Sequence, residues 1–213
     1  MPRYYPAFID VRGRDCVVVG GGELGEEKVV KLLECDASVV VVSSEVTDKV
    51  RELAEDGAVE WIRRDYEYGD LERAFIAISN TGNAESDRQI YEEAKERNVI
   101  LNVVDVTHLC TFIAPSVARR GEVTVATSTG GASPALARTF REKLESSRIL
   151  EYADLAPVLS DARAELRRKG LRVPPDHWQA CITEELLDTV QAGQSDKAFD
   201  LLMEGLLAGS ELI

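Results

Sequence analysis

Short apolar runs alternate with amphipathic stretches along the first half of the chain, and this alternation predicts its elements. The runs have the length and the β-branched content of buried strands, whereas the stretches between them place apolar residues at helical spacing. The predicted strands are 15–20, 38–43, 59–63, 74–79 and 99–105, and the predicted helices are 23–35, 45–55 and 84–97. Because such alternation is typical of a parallel sheet with crossover helices, we expect an α/β domain over residues 1–113.

The pattern changes after Pro115, where it predicts one strand, one turn and then only helices. These elements are the strand 122–127, the turn 128–134 and the helices 135–146, 150–169, 176–191 and 195–208. We therefore expect a small α+β region over residues 114–148 and a helical C-terminal domain over residues 149–213.

Three spaced glycines follow the first predicted strand. Gly20, Gly22 and Gly25 have the spacing Gly-x-Gly-x-x-Gly and stand where an apolar strand becomes a helix. In dinucleotide-binding domains of the Rossmann type, these glycines allow a tight turn, a close approach of backbone to pyrophosphate, and close packing of helix on strand. The helix that follows offers unpaired amide N–H groups to phosphate. The context predicts a dinucleotide cradle, and the alternative is a glycine turn in another kind of α/β protein.

Polar residues also end the second and fourth predicted strands. Ser43, Ser44 and Glu45 stand about 20 residues past the glycines, where an acid that binds the ribose is expected. An acidic residue there favours NAD over NADP because it repels a 2′-phosphate, and no arginine lies within residues 43–47. Asn80 and Thr81 are expected to face the same crevice, and the alternative is that they are ordinary turn residues.

Asp105 closes the apolar run 99–104. It is therefore expected at the carboxyl end of a central strand, where open α/β sheets bind their ligands. A carboxylate at that place can act as a catalytic base. The alternative is that Asp105 caps the turn that follows. His108 comes three residues later and is interpreted as a structural histidine, with a role at the crevice as the alternative.

Charge and composition restrict the partners. The 213 residues carry a net charge of −13, so we expect neither nucleic acid nor an anionic membrane, since both need a basic surface. No apolar run approaches the ~20 residues of a membrane span and the N-terminus lacks the apolar stretch of a signal peptide, which predicts a cytoplasmic protein. Scattered cysteines and only two histidines predict no metal site. An anionic ligand would need a local basic patch, and the candidates include Arg119, Arg120, Arg138 and Arg141.

These residues, taken in order, resemble the precorrin-2 dehydrogenases of siroheme synthesis, including the N-terminal half of bacterial siroheme synthase. The resemblance covers about residues 5–147. Besides the glycine loop, it is carried by Asn102-Val103-Val104-Asp105, Cys110-Thr111-Phe112-Ile113-Ala114-Pro115-Ser116, Ser128-Thr129-Gly130-Gly131-Ala132-Ser133-Pro134 and Arg141-Glu142-Lys143-Leu144-Glu145. The later blocks are more specific than the glycine loop.

This resemblance implies oxidation of precorrin-2 to sirohydrochlorin with NAD as hydride acceptor and, in some members, insertion of Fe²⁺ into the product as a second substrate. By matching position, Asp105 is the implied essential carboxylate. The expected contacts of NAD are Gly20, Gly22, Glu23, Leu24, Gly25, Ser43, Ser44, Glu45, Asn80 and Thr81. The tetrapyrrole substrate carries eight carboxylates, and its expected contacts are Ser128, Gly130, Arg119, Arg120, Arg138 and Arg141. Family members are homodimers, which makes 114–148 the expected dimerisation region.

Several alternatives stay open beside this resemblance. Gly25 stands where bacterial enzymes commonly have alanine, and His108 stands where many relatives carry an acidic residue. The second departure leaves the chelatase activity open. Nothing in the chain resembles the methyltransferase half of siroheme synthase, so a separate methyltransferase is expected to supply precorrin-2. A competing hypothesis is an NAD-binding sensor without catalysis, which the presence of Asp105 disfavours. A chelatase that no longer uses NAD is disfavoured by the intact glycine loop.

Overall fold

The structure, a computed structural model, describes residues 4–208 and 211–212 and divides the chain into two units, Met1–Ala114 and Pro115–Ile213. In the first unit, strands and helices alternate along the chain. The strands are β1 (Asp15–Gly21), β2 (Ser38–Val46), β3 (Glu60–Ile62), β4 (Ile76–Ser79) and β5 (Ile100–Val103), and the helices are α1 (Glu23–Leu33), α2 (Asp48–Glu55) and α3 (Ala84–Arg97). A short 3₁₀ helix, Thr107–Leu109, follows β5.

All five strands are parallel and lie in the order β3-β2-β1-β4-β5. Val17 of β1 lies opposite Val40 of β2 and Ala77 of β4, so β1 is central. The chain moves outward from β1 through β2 to β3 and then returns to add β4 on the other side. A sheet of this kind binds ligands at the carboxyl ends of the strands where the order reverses, here between β1 and β4. The predicted α/β class of the Rossmann type is confirmed.

Apolar side chains are buried on both faces of this sheet, as expected for parallel strands covered by helices. On one face, Val18 and Val41 pack with Val29 of α1 and Val50 of α2. On the other face, the core contains Val17 and Leu101 of the sheet with Ile90 of α3. The strands therefore read as continuous apolar runs, which is why the sequence pattern predicted them.

Several boundaries in the first unit differ from the predicted ones. β2 continues to Val46, and α2 begins at Asp48 rather than at residue 45. The reason is local: the Thr47 hydroxyl accepts a hydrogen bond from the N–H of Val50 and so caps the helix. β5 ends at Val103, and Asp105 lies beyond it with a φ of +62°, in a turn rather than in the strand.

The second unit begins with a hairpin that the sequence pattern predicted only in part. β6 (Ser116–Arg120) pairs antiparallel with β7 (Val123–Thr127) across a turn at Gly121, whose φ is +55°. β6 was not predicted, because Ser-Val-Ala-Arg-Arg has few apolar residues and its pairing with β7 decides its conformation. The helix α4 (Pro134–Glu145) follows, with the Ser133 hydroxyl accepting a hydrogen bond from the N–H of Leu136.

Helices make up most of the remaining chain. They are α5 (Arg148–Glu151), α6 (Ala156–Arg168), α7 (Pro175–Cys181), α8 (Glu184–Gln191) and α9 (Ser195–Ala208), with a 3₁₀ helix at Tyr152–Leu155 and two short antiparallel strands, β8 (Leu171–Arg172) and β9 (Glu211–Leu212). Their core contains Leu155, Leu187, Leu202 and Leu206, all with at most 2% exposure.

The prediction of one helix over 176–191 was wrong, because Thr183 interrupts it and caps α8 by accepting from the N–H of Leu186. The prediction of one helix over 150–169 was also wrong, since the 3₁₀ helix separates α5 from α6. Within the described residues, no helix is long and apolar enough to cross a membrane.

Candidate active site

A cavity of about 590 Å³ opens at the carboxyl ends of β1, β2 and β4. Eight of the ten predicted dinucleotide contacts line it: Gly20, Gly22, Glu23, Ser43, Ser44, Glu45, Asn80 and Thr81. Leu24 and Gly25 are not among its lining residues. The glycine loop after β1 and the polar residues at the ends of β2 and β4 therefore line one groove.

The glycine loop has the geometry of a backbone cradle. Gly20 has a φ of +103°, and a Cβ there would lie 2.3 Å from the carbonyl oxygen of Asn80. A Cβ on Gly21 would lie 2.4 Å from the carbonyl oxygen of Glu45. At Gly22, in contrast, a Cβ would meet no protein atom within 4 Å. The protein's own packing therefore excludes a side chain at Gly20 and at Gly21, whereas the space beside Gly22 is open at the groove, which fits a bound pyrophosphate against the backbone.

Gly25 has a packing role in the loop. A Cβ on Gly25 would lie 2.1 Å from the carbonyl oxygen of Gly20. The absence of a side chain lets α1 approach the end of β1, as the third glycine of such a loop does. Leu24 is 46% exposed on the first turn of α1. The contacts of Leu24 and Gly25 with the dinucleotide stay predictions, because the backbone N–H groups of both residues belong to the first turn of α1.

Ser43 holds the glycine loop against the end of β2. Its hydroxyl accepts a hydrogen bond from the N–H of Gly21 at 3.0 Å and donates one to the carbonyl oxygen of Glu45 at 2.6 Å. The N–H of Thr47 in turn donates to the carbonyl oxygen of Gly21 at 3.0 Å. These bonds join β1 and β2 past the end of their regular pairing, so Ser43 shapes the groove as well as lining it.

The charged side chains that line this groove are all acidic: Glu23, Glu45 and Asp65. Attraction for a pyrophosphate must therefore come from the backbone. Gly22 is the N-cap of α1, and no side chain makes a capping hydrogen bond there. The first amide N–H groups of α1 and the positive end of the helix dipole are thus available to an anion.

Tyr66 also lines the groove, and the sequence analysis missed it. Burial and a hydrogen bond from its hydroxyl to Glu93 raise the pKa of Tyr66 far above its usual value, so the phenol stays neutral. Glu93 is fully buried and also accepts hydrogen bonds from the N–H of Gly69 at 3.0 Å and from Nε of Arg97 at 2.7 Å. No local motif marks Tyr66, because its place depends on α3 packing beneath the loop after β3.

Asp105 lines a second cavity of about 410 Å³. Its lining residues are Asn80, Thr81, Gly82, Ala84, Asp87, Arg88, Val104, Asp105, Val106, His108 and Leu109. Asn80 and Thr81 line both this cavity and the dinucleotide groove, so the two cavities share a wall at the end of β4. The Asp105 side chain is exposed, and His108 lies in the same cavity. Arg88, on the second turn of α3, is a cation that the sequence analysis missed.

A ladder of side-chain hydrogen bonds holds the loop that carries Asp105. Sγ of Cys110 lies 3.2 Å from both the N and the O of Val103, accepting from the first and donating to the second. Oγ1 of Thr111 accepts from the N–H of Leu101 at 2.7 Å, and Nδ2 of Asn102 donates to the carbonyl oxygen of Phe112 at 3.1 Å. Residues 110–112 are therefore hydrogen-bonded alongside β5, and residues 104–109 form the loop between the two segments.

Asp87 of α3 holds the wall that the two cavities share by hydrogen bonds to the end of β4. Oδ1 of the buried Asp87 accepts hydrogen bonds from the hydroxyl of Ser79 at 2.6 Å and from the hydroxyl of Thr81 at 2.8 Å. Asn83 caps α3 by accepting from the N–H groups of Glu85 and Ser86. Thr81 is therefore a positioned residue of the wall and not a free turn residue.

The chain is similar to known proteins along most of its length. A family model described as putative NAD(P)-binding matches residues 7–116. The chain belongs to this NAD(P)-binding family. A second family model, described as the central part of a sirohaem biosynthesis protein, matches residues 120–147.

The siroheme synthases of Nitrosococcus oceani and Methylobacillus flagellatus are 30% and 33% identical to the chain over 209 residues, which is 97% of this chain and 45% of each relative. The chain thus spans about half the length of the curated relatives it matches. The solved structure of SirC, precorrin-2 dehydrogenase, has a TM-score of 0.74 at 22% identity and covers 94% of this chain and 100% of its own. It shares the fold. The predicted resemblance to siroheme synthases is confirmed.

In this member of the NAD(P)-binding family, the residues predicted to bind substrate lie in the second unit. Arg119 and Arg120 are on β6, and Arg120 donates to both carboxylate oxygens of Asp154 at 2.7 and 2.6 Å. The guanidinium groups of Arg138 and Arg141 also pair with carboxylates: Arg138 contacts Glu142, and Arg141 contacts Glu145. In the turn before α4, the Ser128 hydroxyl accepts from the N–H of Gly130 at 3.1 Å. Their assignment to substrate remains a prediction.

Among residues 4–208 and 211–212, no group of three or more His, Cys, Asp or Glu side chains is arranged to hold a metal ion.

Proposed function

We propose that this chain oxidises precorrin-2 to sirohydrochlorin with NAD⁺ as the oxidant. The observation that carries the proposal is the wall that two cavities share: Asn80 and Thr81 border both the groove at the glycine loop and the cavity of Asp105. A group that can take a proton is thus next to a groove that fits a dinucleotide. Support also comes from the similarity to siroheme synthases along 97% of the chain.

The oxidation removes one hydride and one proton from the macrocycle. When bound, NAD⁺ supplies the hydride acceptor. Asp105 is the residue that accepts the proton, because its carboxylate is exposed at the tip of a held loop. Arg88 lines the same cavity, and its guanidinium can pair with a substrate carboxylate. Glu45, the last residue but one of β2, lines the groove and accepts hydrogen bonds from the ribose, which favours NAD⁺.

The decisive experiment is an anaerobic incubation of the full chain with precorrin-2 and NAD⁺, followed by the absorbance of sirohydrochlorin and NADH. Asp105→Asn is the sharpest variant, because Asn tolerates the φ of +62° and keeps the shape of the side chain. We expect loss of turnover with unchanged binding of NADH. Asp56→Asn, an exposed acid at the end of α2, is the matched control and should keep full activity. No turnover by the unaltered protein, with NADH still bound, would instead favour the sensor without catalysis.

We also propose insertion of Fe²⁺ into sirohydrochlorin at the same cavity. Insertion releases two pyrrole N–H protons, and Asp105 and His108 are two groups of that cavity that can accept protons. The test adds Fe²⁺ or Co²⁺ to sirohydrochlorin without NAD⁺ and compares the rate with the spontaneous one. A rate equal to the spontaneous one would contradict this second activity and leave the dehydrogenase standing.

A homodimer formed through residues 114–148 is the third part of the proposal. Leu136 and Phe140 are four residues apart on α4, so they share a face, and they are 47% and 50% exposed. Large apolar residues on one face of a helix indicate a covered surface. We expect light scattering to give the mass of a dimer and Phe140→Asp to give that of a monomer. Ile182→Asp, at an exposed apolar position outside this region, should leave the mass unchanged.

A further inference from the structure

A small cavity adjoins the dinucleotide groove at the end of β2. Its volume is about 280 Å³, and it is lined by Ser44, Glu45, Val46, Arg51, Trp61 and Arg63. The first three of these residues also line the larger groove. The two cavities therefore share a wall at the place where an acidic residue meets the ribose of a bound dinucleotide.

The small cavity carries the positive charge that the groove lacks. The charged residues of the groove are Glu23, Glu45 and Asp65, whereas the small cavity adds Arg51 and Arg63. The pyrophosphate is provided for by backbone N–H groups at the start of α1. The two guanidinium groups are thus not needed for that part of the ligand, and neither of them lines the groove.

Stacking holds Arg63 in the cavity. Its guanidinium carbon lies 4.1 Å from the centre of the Trp61 ring. The ring is itself fixed, because Nε1 of Trp61 donates to the carbonyl oxygen of Ser43 at 2.9 Å. The parallel register, with Val42 opposite Ile62, brings the end of β3 beside the end of β2. A stacked guanidinium keeps its N–H edge free for a phosphate, which it binds through two parallel hydrogen bonds.

Arg51 reaches the same cavity from α2. Nη1 contacts Oδ1 of Asp48 at 2.5 Å, and Nη2 lies 3.5 Å from the carbonyl oxygen of Val46. These contacts fold the side chain back toward the end of β2. The Asp48 partner is 91% exposed, so water screens this ion pair and leaves Arg51 able to exchange it for a stronger anion.

We infer that this cavity is a phosphate subsite and that the protein binds NADP⁺ as well as NAD⁺, with the 2′-phosphate between Arg51 and Arg63. The inference rests on the proposed function, which places the ribose at Glu45. An arginine near this strand end accommodates a 2′-phosphate in dinucleotide-binding folds. Glu45 opposes the phosphate and thereby sets the preference for NAD⁺. The absence of arginine from residues 43–47 therefore does not exclude NADP⁺, because both cations come from elsewhere in the chain.

The test measures the binding of NADH and of NADPH to the full chain by nucleotide fluorescence. We expect Arg63→Ala and Arg51→Ala each to weaken NADPH binding by about tenfold or more, as for the loss of a hydrogen bond to a charged group. NADH binding should change by less than about twofold, since no arginine faces the rest of the groove. Glu45→Gln should strengthen NADPH binding. Arg14→Ala is the matched control, because Arg14 also stacks on a ring, that of Phe75 at 3.8 Å, and lines neither cavity.

The outcomes separate the two proposals. Binding of NADH without any binding of NADPH overturns the phosphate subsite and leaves the dehydrogenase intact. If the arginine variants weaken the binding of NADH and of NADPH equally, the phosphate subsite is also overturned, because the residues would then act through the fold. If neither nucleotide binds to the unaltered chain, the proposed function itself fails.

Discussion

The carbonyl oxygen of Gly20 occupies the space that a side chain at Gly25 would need, since a Cβ on Gly25 would lie 2.1 Å from it. The end of β1 and the first turn of α1 are therefore in direct backbone contact. This contact sets the angle at which the free N–H groups of α1 meet the groove.

A glycine-to-alanine substitution in the loop should affect NADH binding at Gly22 and stability at Gly20. Gly22→Ala should fold normally, because its Cβ meets no protein atom, but it should abolish NADH binding by filling the space for the pyrophosphate. Gly20→Ala combines a φ of +103° with a Cβ 2.3 Å from the Asn80 carbonyl oxygen. It should lower the free energy of unfolding by roughly 2 to 6 kcal/mol, from strain and overpacking together. Urea unfolding and NADH titration of both variants check this, and normal NADH binding by Gly22→Ala would contradict the cradle.

Cys110 is expected to be a positioning residue for Asp105. Cys110→Ala removes the contacts of its Sγ with the N and O of Val103, so the loop that carries Asp105 loosens. The free energy of unfolding should fall by about 1 to 3 kcal/mol. The kcat for precorrin-2 should also fall, while NADH binding stays unchanged. Cys110→Ser should restore part of kcat, since a hydroxyl can make the same bonds. Cys181→Ala, a thiol of the second unit, is the control. A rise in KM alone, with kcat unchanged, would refute the positioning role.

Arg88 is expected to bind a carboxylate of the tetrapyrrole. Arg88→Ala should raise KM for precorrin-2 by about tenfold, because a charge-assisted hydrogen bond is lost, with little change in NADH binding. Arg88→Lys should raise KM by less than Arg88→Ala does, because lysine keeps the positive charge. Lys95→Ala removes an exposed cation from the same helix and outside the cavity, so its kinetics should match those of the unaltered chain. Identical KM values for Arg88→Ala and Lys95→Ala would remove Arg88 from the substrate site.

The ion pair of Arg120 and Asp154 predicts a dependence of stability on pH. The Arg120 hydrogen bonds lower the pKa of Asp154. A carboxyl whose folded pKa is lowered stabilises the fold above its unfolded pKa of about 4, and the contribution disappears as the pH falls through the folded value. Both side chains keep roughly a third of their surface exposed (38% and 30%), so we expect about 1 kcal/mol or less. The difference in the free energy of unfolding between the unaltered chain and Asp154→Asn should therefore be measurable at pH 7 and decrease as the pH falls below about 4. A constant difference would show that the pair does not cause it.

Local sequence determined the parts of this protein that depend on neighbours along the chain. β1 and β2 contain continuous Val runs, the cap at Asn83 needs only the N–H groups two and three residues later, and the glycine spacing requires one tight turn. Polar residues at strand ends could be placed in one crevice because parallel strands end on the same side.

Only the tertiary structure decided the contacts that join distant segments. β6 becomes a strand through its pairing with β7, Tyr66 is set by the buried Glu93 of α3, and Arg63 reaches the end of β2 through the register of β3. Asp105 lies beyond β5 because Cys110 returns the chain to Val103. Such contacts depend on strand register and helix packing, which the periodicity of a single segment does not contain. The sequence by itself therefore determined the sheet and the dinucleotide loop, and the packing of distant segments decided which side chains meet there.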